Sequence, residues 1–519
     1  MLPTYINEPT TDFSLPGQRA SFERALNAAK AEIGRRYPMV IDGEAVMTDN
    51  FISTINPSRP SEVLGLFSAG TAEHADRAVD AAWRAFQTWQ YTPVEERVRY
   101  LLRAAAEMRR RKHEFSAVMV LEVGKSWAEA EADTAEAIDF LEYYARQALR
   151  VLDSSALLAE FPNEQGSLTY IPLGVGAIIP PWNFPCAIPT GMIGASLVTG
   201  NTVVFKPAEQ SPWIAYKVCE LFWRQGIPRG VLNFVFGAGE VVGARMVEHP
   251  VTRFVSFTGS KAVGIHIYEQ AAKVQPGQKW LKRAILEMGG KDAVLVDETA
   301  DLESAAQGII ASAFGFGGQK CSAGSRAVIV NEVYDQVVNR AVDLARELTV
   351  GAPDTGPEIY MGPVIDIDAM HRITDYIELG TQEGKLLLGG APLATPEGGY
   401  FIPPTIFGDV PPNARIAQEE IFGPVLAMIR AQNFDEALRI ANDTEYGLTG
   451  ALYSADRARL ERARREFHVG NLYLNRKSTG AMVGVHPFGG FNMSGTDSKA
   501  GGPDYLLLYT QAKTVGERL

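Results

Sequence analysis

The residues best suited to covalent chemistry are a cysteine and the glycines in front of it. Cys321 lies in the stretch Gly315-Phe316-Gly317-Gly318-Gln319-Lys320-Cys321-Ser322, directly after the apolar, helix-like run Ala305 to Phe314. A thiolate is a strong nucleophile, and backbone N–H groups beside it can hold a developing oxyanion. Glycines at this density let the backbone turn where side chains forbid it, and let a substrate approach closely. The same residues also fit a plain turn around a small buried thiol, since free cysteine is usually a core residue. A nucleophile of this kind works beside a base. None of the seven histidines stands in a glycine loop near a cysteine. Glu287, in Leu286-Glu287-Met288-Gly289-Gly290-Lys291-Asp292, is the better candidate. A carboxylate in a semi-apolar cleft has a raised pKa and can accept a proton from a thiol or water. Cys186 and Cys219 sit in apolar segments that read as packed and inert. No C-x-x-C, H-E-x-x-H or close His/Cys set occurs, so no metal site is expected.

These residues need a scaffold, and the pattern of the chain implies one. Residues 1–37 are polar with helical periodicity from Gly17 to Arg36, predicting a peripheral helical arm. Tyr37 to Glu44 reads as a short strand turning at Asp42-Gly43. Helical patterns fill Thr71 to Leu152, and Phe140, Tyr143 and Tyr144 share one face of the last, read first as core packing. From Gly174 short apolar strands alternate with helices: Val175 to Ile179, Asn201 to Phe205, Val231 to Phe236, Arg253 to Phe257. Such alternation means a parallel, doubly wound α/β sheet, whose ligands bind beyond the C-terminal strand ends. Trp182, Asn183, Lys206, Glu209, Gly237 to Gly239 and Thr258-Gly259-Ser260 all fall there, which points to a nucleotide site. Gly237-Ala238-Gly239 lacks the spacing of the common dinucleotide fingerprint. Thr258-Gly259-Ser260 fits both a phosphate cradle and an ordinary N-cap. A second α/β block begins near Met288, with further sheet predicted at Gly384 to Gly390 and Tyr400 to Phe407, and a β-like tail from Tyr505 to Val515.

Composition narrows the class. The 519 residues exceed one ordinary core, and 46% apolar with 21% charged residues is a globular balance. A net charge of −12 without a dense basic run argues against nucleic acid or an anionic membrane as partner. Three widely spaced cysteines make no disulfide framework, so a reducing, cytoplasmic setting is expected. The N-terminus lacks a signal-peptide layout, and no window approaches the roughly 18 to 20 apolar residues of a membrane span.

Taken together, the chain resembles the aldehyde dehydrogenase superfamily from about Tyr37 to Val515. Seven motifs carry the resemblance, in order: Pro181-Trp-Asn-Phe-Pro185, Lys206-Pro-Ala-Glu209, Phe257-Thr-Gly-Ser260, Glu287-Met-Gly-Gly290, Gly318-Gln-Lys-Cys321, Glu420-Ile-Phe-Gly-Pro424 and Pro487-Phe-Gly-Gly490. The resemblance implies a Rossmann-like NAD-binding domain (38–155 and 174–287) and an α/β catalytic domain (288–485). It adds a small β oligomerisation flap or bridge (156–173 and 486–519) and the arm at 1–37. It also implies roles. Cys321 attacks an aldehyde, Asn183 and the Cys321 N–H stabilise the oxyanion, and Glu287 activates the hydrolytic water. NAD is the implied cofactor: Lys206 and Glu209 on the adenosine ribose, Ser260 near the pyrophosphate, Glu420 on the nicotinamide ribose, Phe422 beside the ring. Ile179, Pro180, Trp182, Ala208 and Gly239 join that cofactor set, as do Phe257, Thr258, Gly259, Val263, Met288 and Gly289. A carboxylate at Glu209 repels a 2′-phosphate, favouring NAD over NADP.

Within the superfamily the chain is most similar to the branch that oxidises L-glutamate γ-semialdehyde. The long arm, Ala135 to Tyr144, Gln319 to Ala323 and Lys477-Ser478-Thr479-Gly480-Ala481 carry that likeness. By it, Ser322, Gly480 and Ala481 anchor the substrate's carboxylate and amine, and Phe184 and Phe488 flank its aliphatic stem. An apolar residue is expected where Ser478 stands. Another small aldehyde such as succinate semialdehyde, a cofactor-free thioester-forming hydrolase, and a binding scaffold are the competing readings. A homodimer or higher homo-oligomer is implied.

Overall fold

In the computed structural model, which describes residues 3–152 and 158–519, Val175–Ile179 is the third strand of a seven-stranded sheet. Its order is Arg283–Glu287, Thr252–Thr258, Val175–Ile179, Thr202–Phe205, Leu232–Phe234, then the hairpin Met39–Ile41 and Glu44–Val46. The first five strands run parallel and are covered on both faces, which is why they read as unbroken apolar runs. Successive strands step outward from Val175–Ile179 in one direction to Leu232–Phe234 and in the other to Arg283–Glu287. The direction reverses beside the C-terminal ends of Val175–Ile179 and Thr252–Thr258, where a crevice must open. Thr258 pairs with Glu287, so the carboxylate leaves the edge strand at that same crevice. The hairpin turns through Asp42 (φ 56°) and Gly43 (φ 72°), the left-handed pair that a tight two-residue turn needs.

A second seven-stranded sheet carries Lys385–Leu388, Thr405–Gly408, Val425–Ala431, Arg326–Val330, Ala293–Val296, Thr449–Tyr453 and Asn471–Leu474, parallel except for the first. The fold is therefore α/β with two sheets of Rossmann-like winding. The long helix Trp127–Val151 starts at a Ser126 cap whose side chain accepts from Glu129 N, and it packs on Val94–Arg110 and Ala187–Val198.

Several expectations change. Residues 1–37 are not helical throughout: the helix spans only Pro16–Lys30, and Arg35–Tyr37 joins a three-stranded sheet. Leu15, one residue before the helix, is a poor cap, and Gly34 (φ 81°) turns the chain from helix to strand. Tyr400 to Pro404 lie outside the strand Thr405–Gly408, because the two prolines at 403 and 404 cannot donate to a ladder. Tyr505–Tyr509 is a 3-10 turn whose two tyrosines are buried, so the tail strand begins at Thr510. Of the segments expected to form a flap, only Glu164–Pro172 and Thr510–Arg518 stand apart among the described residues, as a two-stranded ribbon. Residues 486–509 instead pack against the crevice, tied there by bonds such as Gly501 N to Tyr144 Oη at 2.9 Å. The expected boundary at 155 and 156 lies outside the described residues.

Candidate active site

The cysteine loop is built on left-handed backbone, the conformation glycine adopts most readily. The helix Leu302–Phe314, capped by Asp301, ends in Phe316 (φ 52°), Gly317 (φ 61°) and Gly318 (φ 70°), three consecutive left-handed residues. A Cβ at Gly318 would run into the Gly423 carbonyl and stand 3.0 Å from Ala313 O. Gln319 locks the turn: its Oε1 accepts from Ile365 N at 3.0 Å and its Nε2 donates to Pro363 O at 3.2 Å. Cys321 follows, half-buried.

Two other elements converge on it. Asn183, 3% exposed and just beyond the strand Val175–Ile179, donates from Nδ2 to Gln319 O at 3.0 Å. That bond places a side-chain amide beside the nucleophile's backbone. Glu287, 8% exposed, accepts a hydrogen bond from Ser498 Oγ through Oε1, while Oε2 is buried without a partner among the described residues. Burial pushes the Glu287 carboxyl up to about 8, against the opposing pull of Ser498. Burial, and then the carboxylates of Asp292, Glu420 and Glu287, push the Cys321 thiol well above its ordinary value. The resting site therefore holds its nucleophile protonated next to a carboxyl tuned to exchange protons near neutrality.

Two cavities meet at Cys321. The first is lined by all five residues expected to bind substrate: Phe184, Ser322, Gly480, Ala481 and Phe488. Phe184 is backed by the Lys125 ammonium, 4.0 Å from the ring centroid. Lys125 pairs with Asp133 at 2.7 Å, both side chains fully buried, and Asp133 also accepts from Ala187 N. Arg476 holds the Gly480 end of the loop through Thr479 O (2.8 Å) and Gly480 O (3.0 Å). Ser478, where an apolar side chain was expected, is fully buried: its N–H donates to Ser312 Oγ and its hydroxyl to Ser322 O. The hydroxyl thus links the two halves of the anchor.

Sequence reasoning missed part of this cavity. Glu136, Phe140 and Tyr144 form one wall, at successive i, i+4 positions of the long helix. Burial raises the Glu136 carboxyl to about 8. Their spacing was visible, but a core stripe has the same spacing. Ser498, far along the chain from Glu287, carried no local signal.

The second cavity is a cleft along the sheet's switch point. Ile179, Pro180, Trp182, Lys206, Ala208, Glu209 and Gly239 line one side, with Phe257, Thr258, Gly259, Ser260, Val263, Met288, Gly289, Glu420 and Phe422 along the remainder. All sixteen expected cofactor residues thus face one space. Thr258, Met288 and Cys321 border both cavities. Lys206 Nζ meets Glu209 Oε1 at 2.8 Å, the ammonium buried and the carboxylate 39% exposed, so the pair offers a donor and an acceptor to a diol. Ser260 caps Lys261–Ala272, aiming that helix's positive end into the cleft. Glu420 accepts from Gly290 N at 3.0 Å, and burial raises its carboxyl to about 7. Phe422 meets Trp182 edge-to-face at 5.6 Å. An apolar slot between Val247, Val263 and Ile267 continues the cleft past Gly239; of these three, Val247 and Ile267 were not foreseen from sequence. A dinucleotide fits this set: a diol-binding pair, a helix N-terminus between, and a carboxylate near the nucleophile.

The chain is similar to known proteins in sequence and in fold. The sequence pattern of the aldehyde dehydrogenase family matches residues 45–515. The 1-pyrroline-5-carboxylate dehydrogenase of Geobacillus thermodenitrificans (strain NG80-2) is 59% identical over 517 residues, covering 100% of both chains. The crystal structure of 1-pyrroline-5-carboxylate dehydrogenase from Thermus with bound NAD superposes with a TM-score of 0.97 at 52% identity, again over 100% of each chain. Betaine aldehyde dehydrogenase from Staphylococcus aureus, solved with NAD+, matches at a TM-score of 0.89 and 30% identity over 96% and 97%. No helix among the described residues is long and apolar enough to cross a membrane.

Proposed function

The chain belongs to the aldehyde dehydrogenase family, and we infer from its site that it oxidises L-glutamate γ-semialdehyde to L-glutamate with NAD, the second step of proline catabolism. The open-chain aldehyde forms from 1-pyrroline-5-carboxylate. The observation that carries this reading is the position of Cys321 between two cavities of different chemistry. One has Phe184 and Phe488 as aromatic walls for methylenes and is lined as well by Ser322, Gly480 and Ala481. Backbone N–H groups and a hydroxyl suit a carboxylate. The other suits a dinucleotide.

In this mechanism Cys321 passes its thiol proton to the ionised form of Glu287, which releases it to solvent, as Sγ bonds to the aldehyde carbon to form a thiohemiacetal oxyanion. Asn183 Nδ2 and the Cys321 N–H hold its oxyanion. NAD, when bound in the cleft, supplies the acceptor for the hydride that leaves the substrate carbon. Cys321 then carries a thioacyl group. Glu287 takes a proton from water as that water attacks the acyl carbon, and the C–S bond breaks to release the acid and free the cysteine. Lys206 and Glu209 would hold the adenosine ribose, Ser260 the pyrophosphate, and Glu420 the nicotinamide ribose, with Phe422 beside the ring. Glu209 disfavours a 2′-phosphate.

The enzyme acts as a homodimer or larger homo-oligomer joined through the ribbon of Glu164–Pro172 and Thr510–Arg518. Beyond Thr510 every residue of the tail strand is exposed. A lone two-stranded ribbon is marginal in water, and its open edges are completed by another sheet. Its setting is the cytoplasm, consistent with three unpaired thiols.

A substrate panel at fixed NAD tests the reading, with NADH formation as readout. Glutamate semialdehyde should give the highest kcat/KM. Preference for succinate semialdehyde by a wide margin, or turnover without NAD, overturns it.

A further inference from the structure

The chemistry above leaves the N-terminal segment idle, yet that segment reaches the substrate pocket from behind. Before the helix at Pro16, it lies along the helices Lys112–Glu122 and Trp127–Val151. Arg146 Nε donates to Pro3 O at 3.0 Å, Lys112 Nζ to Pro9 O at 2.6 Å, and Thr11 N to Glu131 Oε1 at 3.1 Å. These contacts hold the segment down.

A second set ties it to the loop that closes the pocket. Tyr5 Oη donates to Val483 O at 3.1 Å. Asn7 Nδ2 lies 3.0 Å from the same carbonyl, 2.9 Å from Asp139 Oδ2 and 2.8 Å from Tyr5 Oη, sharing two hydrogens among three oxygens. Glu8 N donates to Asp139 Oδ1 at 2.7 Å. Val483 is 4% exposed and stands two residues beyond Ala481. Gly484 (φ 75°) follows, and a Cβ there would sit 2.8 Å from the Tyr143 ring and 3.0 Å from the Tyr5 ring. Those two rings meet edge-to-face at 5.2 Å. The long helix therefore shows Glu136, Phe140 and Tyr144 to the pocket and, one turn-position away, Asp139 and Tyr143 to the segment.

The loop is thus pinned at two ends. Arg476 and Ser478 hold its start from within the catalytic block, and Tyr5 and Asn7 hold its finish. We propose that Tyr5 and Asn7 are positioning residues: by fixing the Val483 carbonyl they set how far the Gly480-Ala481 backbone stands from Cys321, and with it the selection of aldehydes bearing a carboxylate at that reach. The inference rests on Gly480 and Ala481 being the carboxylate anchor. A displacement of about 1 Å in such an anchor is enough to cost a large factor in reactivity. An aldehyde too short to touch the loop is indifferent to it.

The test uses the full chain with Tyr5→Phe, which keeps the ring, and Asn7→Ala, singly and together, assayed at saturating NAD with glutamate semialdehyde and with propanal. In the double variant KM for glutamate semialdehyde should rise about tenfold while kcat stays within about threefold, with smaller rises in each single variant. Propanal kcat/KM and NAD affinity should stay within about twofold, which also reports an intact fold. Equal losses for both aldehydes mean a general structural role and overturn the proposal, as does an unchanged KM. The unsubstituted chain separates this from the parent reading. If it shows no preference for glutamate semialdehyde over propanal, the anchor itself is wrong. If it shows the preference and the double variant keeps it in full, the positioning role is wrong.

Discussion

Ser498 Oγ donates a hydrogen bond to Glu287 Oε1 across 211 residues of chain, while Glu287 Oε2 lies buried with no partner among the described residues. One oxygen is held and the other is left for water. The bond stabilises the charged carboxylate, and burial, the larger effect, opposes it. The balance leaves a carboxyl titrating near 8 in place of the usual 4 to 5.

The sign of the pH dependence follows. Below about 8 Glu287 is mostly protonated and cannot accept a proton from water. Hydrolysis of the thioacyl enzyme should therefore rise with pH from 6 and level off above about 8. Ser498→Ala removes the donor that lowers this pKa, so the rising limb should move to higher pH, with NAD affinity unchanged. A pH–rate profile at saturating substrate checks it. A limb that stays in place assigns the titration to another group.

Cys321→Ala should reduce dehydrogenase turnover by at least about a thousandfold while calorimetry finds NAD binding within about twofold of the parent. Asn183→Ala should lower kcat by about a hundredfold or more with little change in KM, the signature of a lost oxyanion donor. Turnover retained in the cysteine variant would refute the covalent route.

Glu209 sits at the cleft rim with its carboxylate 2.8 Å from Lys206. Glu209→Gln removes the charge that a 2′-phosphate would meet and leaves the ammonium in place. The ratio of NADP to NAD efficiency should rise by about tenfold, equivalent to roughly 1.4 kcal/mol. Steady-state comparison of the two cofactors measures this, and an unmoved ratio places the discrimination elsewhere.

Gly318→Ala should be costly, because its Cβ meets two backbone carbonyls that cannot rotate away and φ is 70°. The strain and overpacking amount to about 2 to 4 kcal/mol. Denaturant midpoints should fall accordingly. A variant of parental stability would mean that the turn relaxes, and its activity would then report whether Cys321 moved with it.

Much of this is legible in the sequence. The runs at Val175 to Ile179 and Thr202 to Phe205 could be recognised as doubly covered parallel strands because burial on both faces leaves a local, continuous apolar record. The glycines before Cys321 announced a backbone of unusual turns, and strand ends collected Asn183, Lys206, Glu209 and Thr258 at one crevice. Each of these signals is carried within a few residues.

Tertiary structure decided what depends on contacts between distant residues. The stripe of Glu136, Phe140 and Tyr144 has the same period whether it faces a core or a cavity, so only packing could assign it. The burial of Ser478, out of place by type, makes sense once Ser312 and Ser322 O are beside it. The link from Tyr5 and Asn7 to Val483 has no local trace at all. At the centre, sequence determined that Cys321 is a nucleophile candidate and Glu287 a base candidate. Their ionisation was decided only by the fold, because a pKa is set by the water excluded and the charges brought near, and both come from segments far away in the chain.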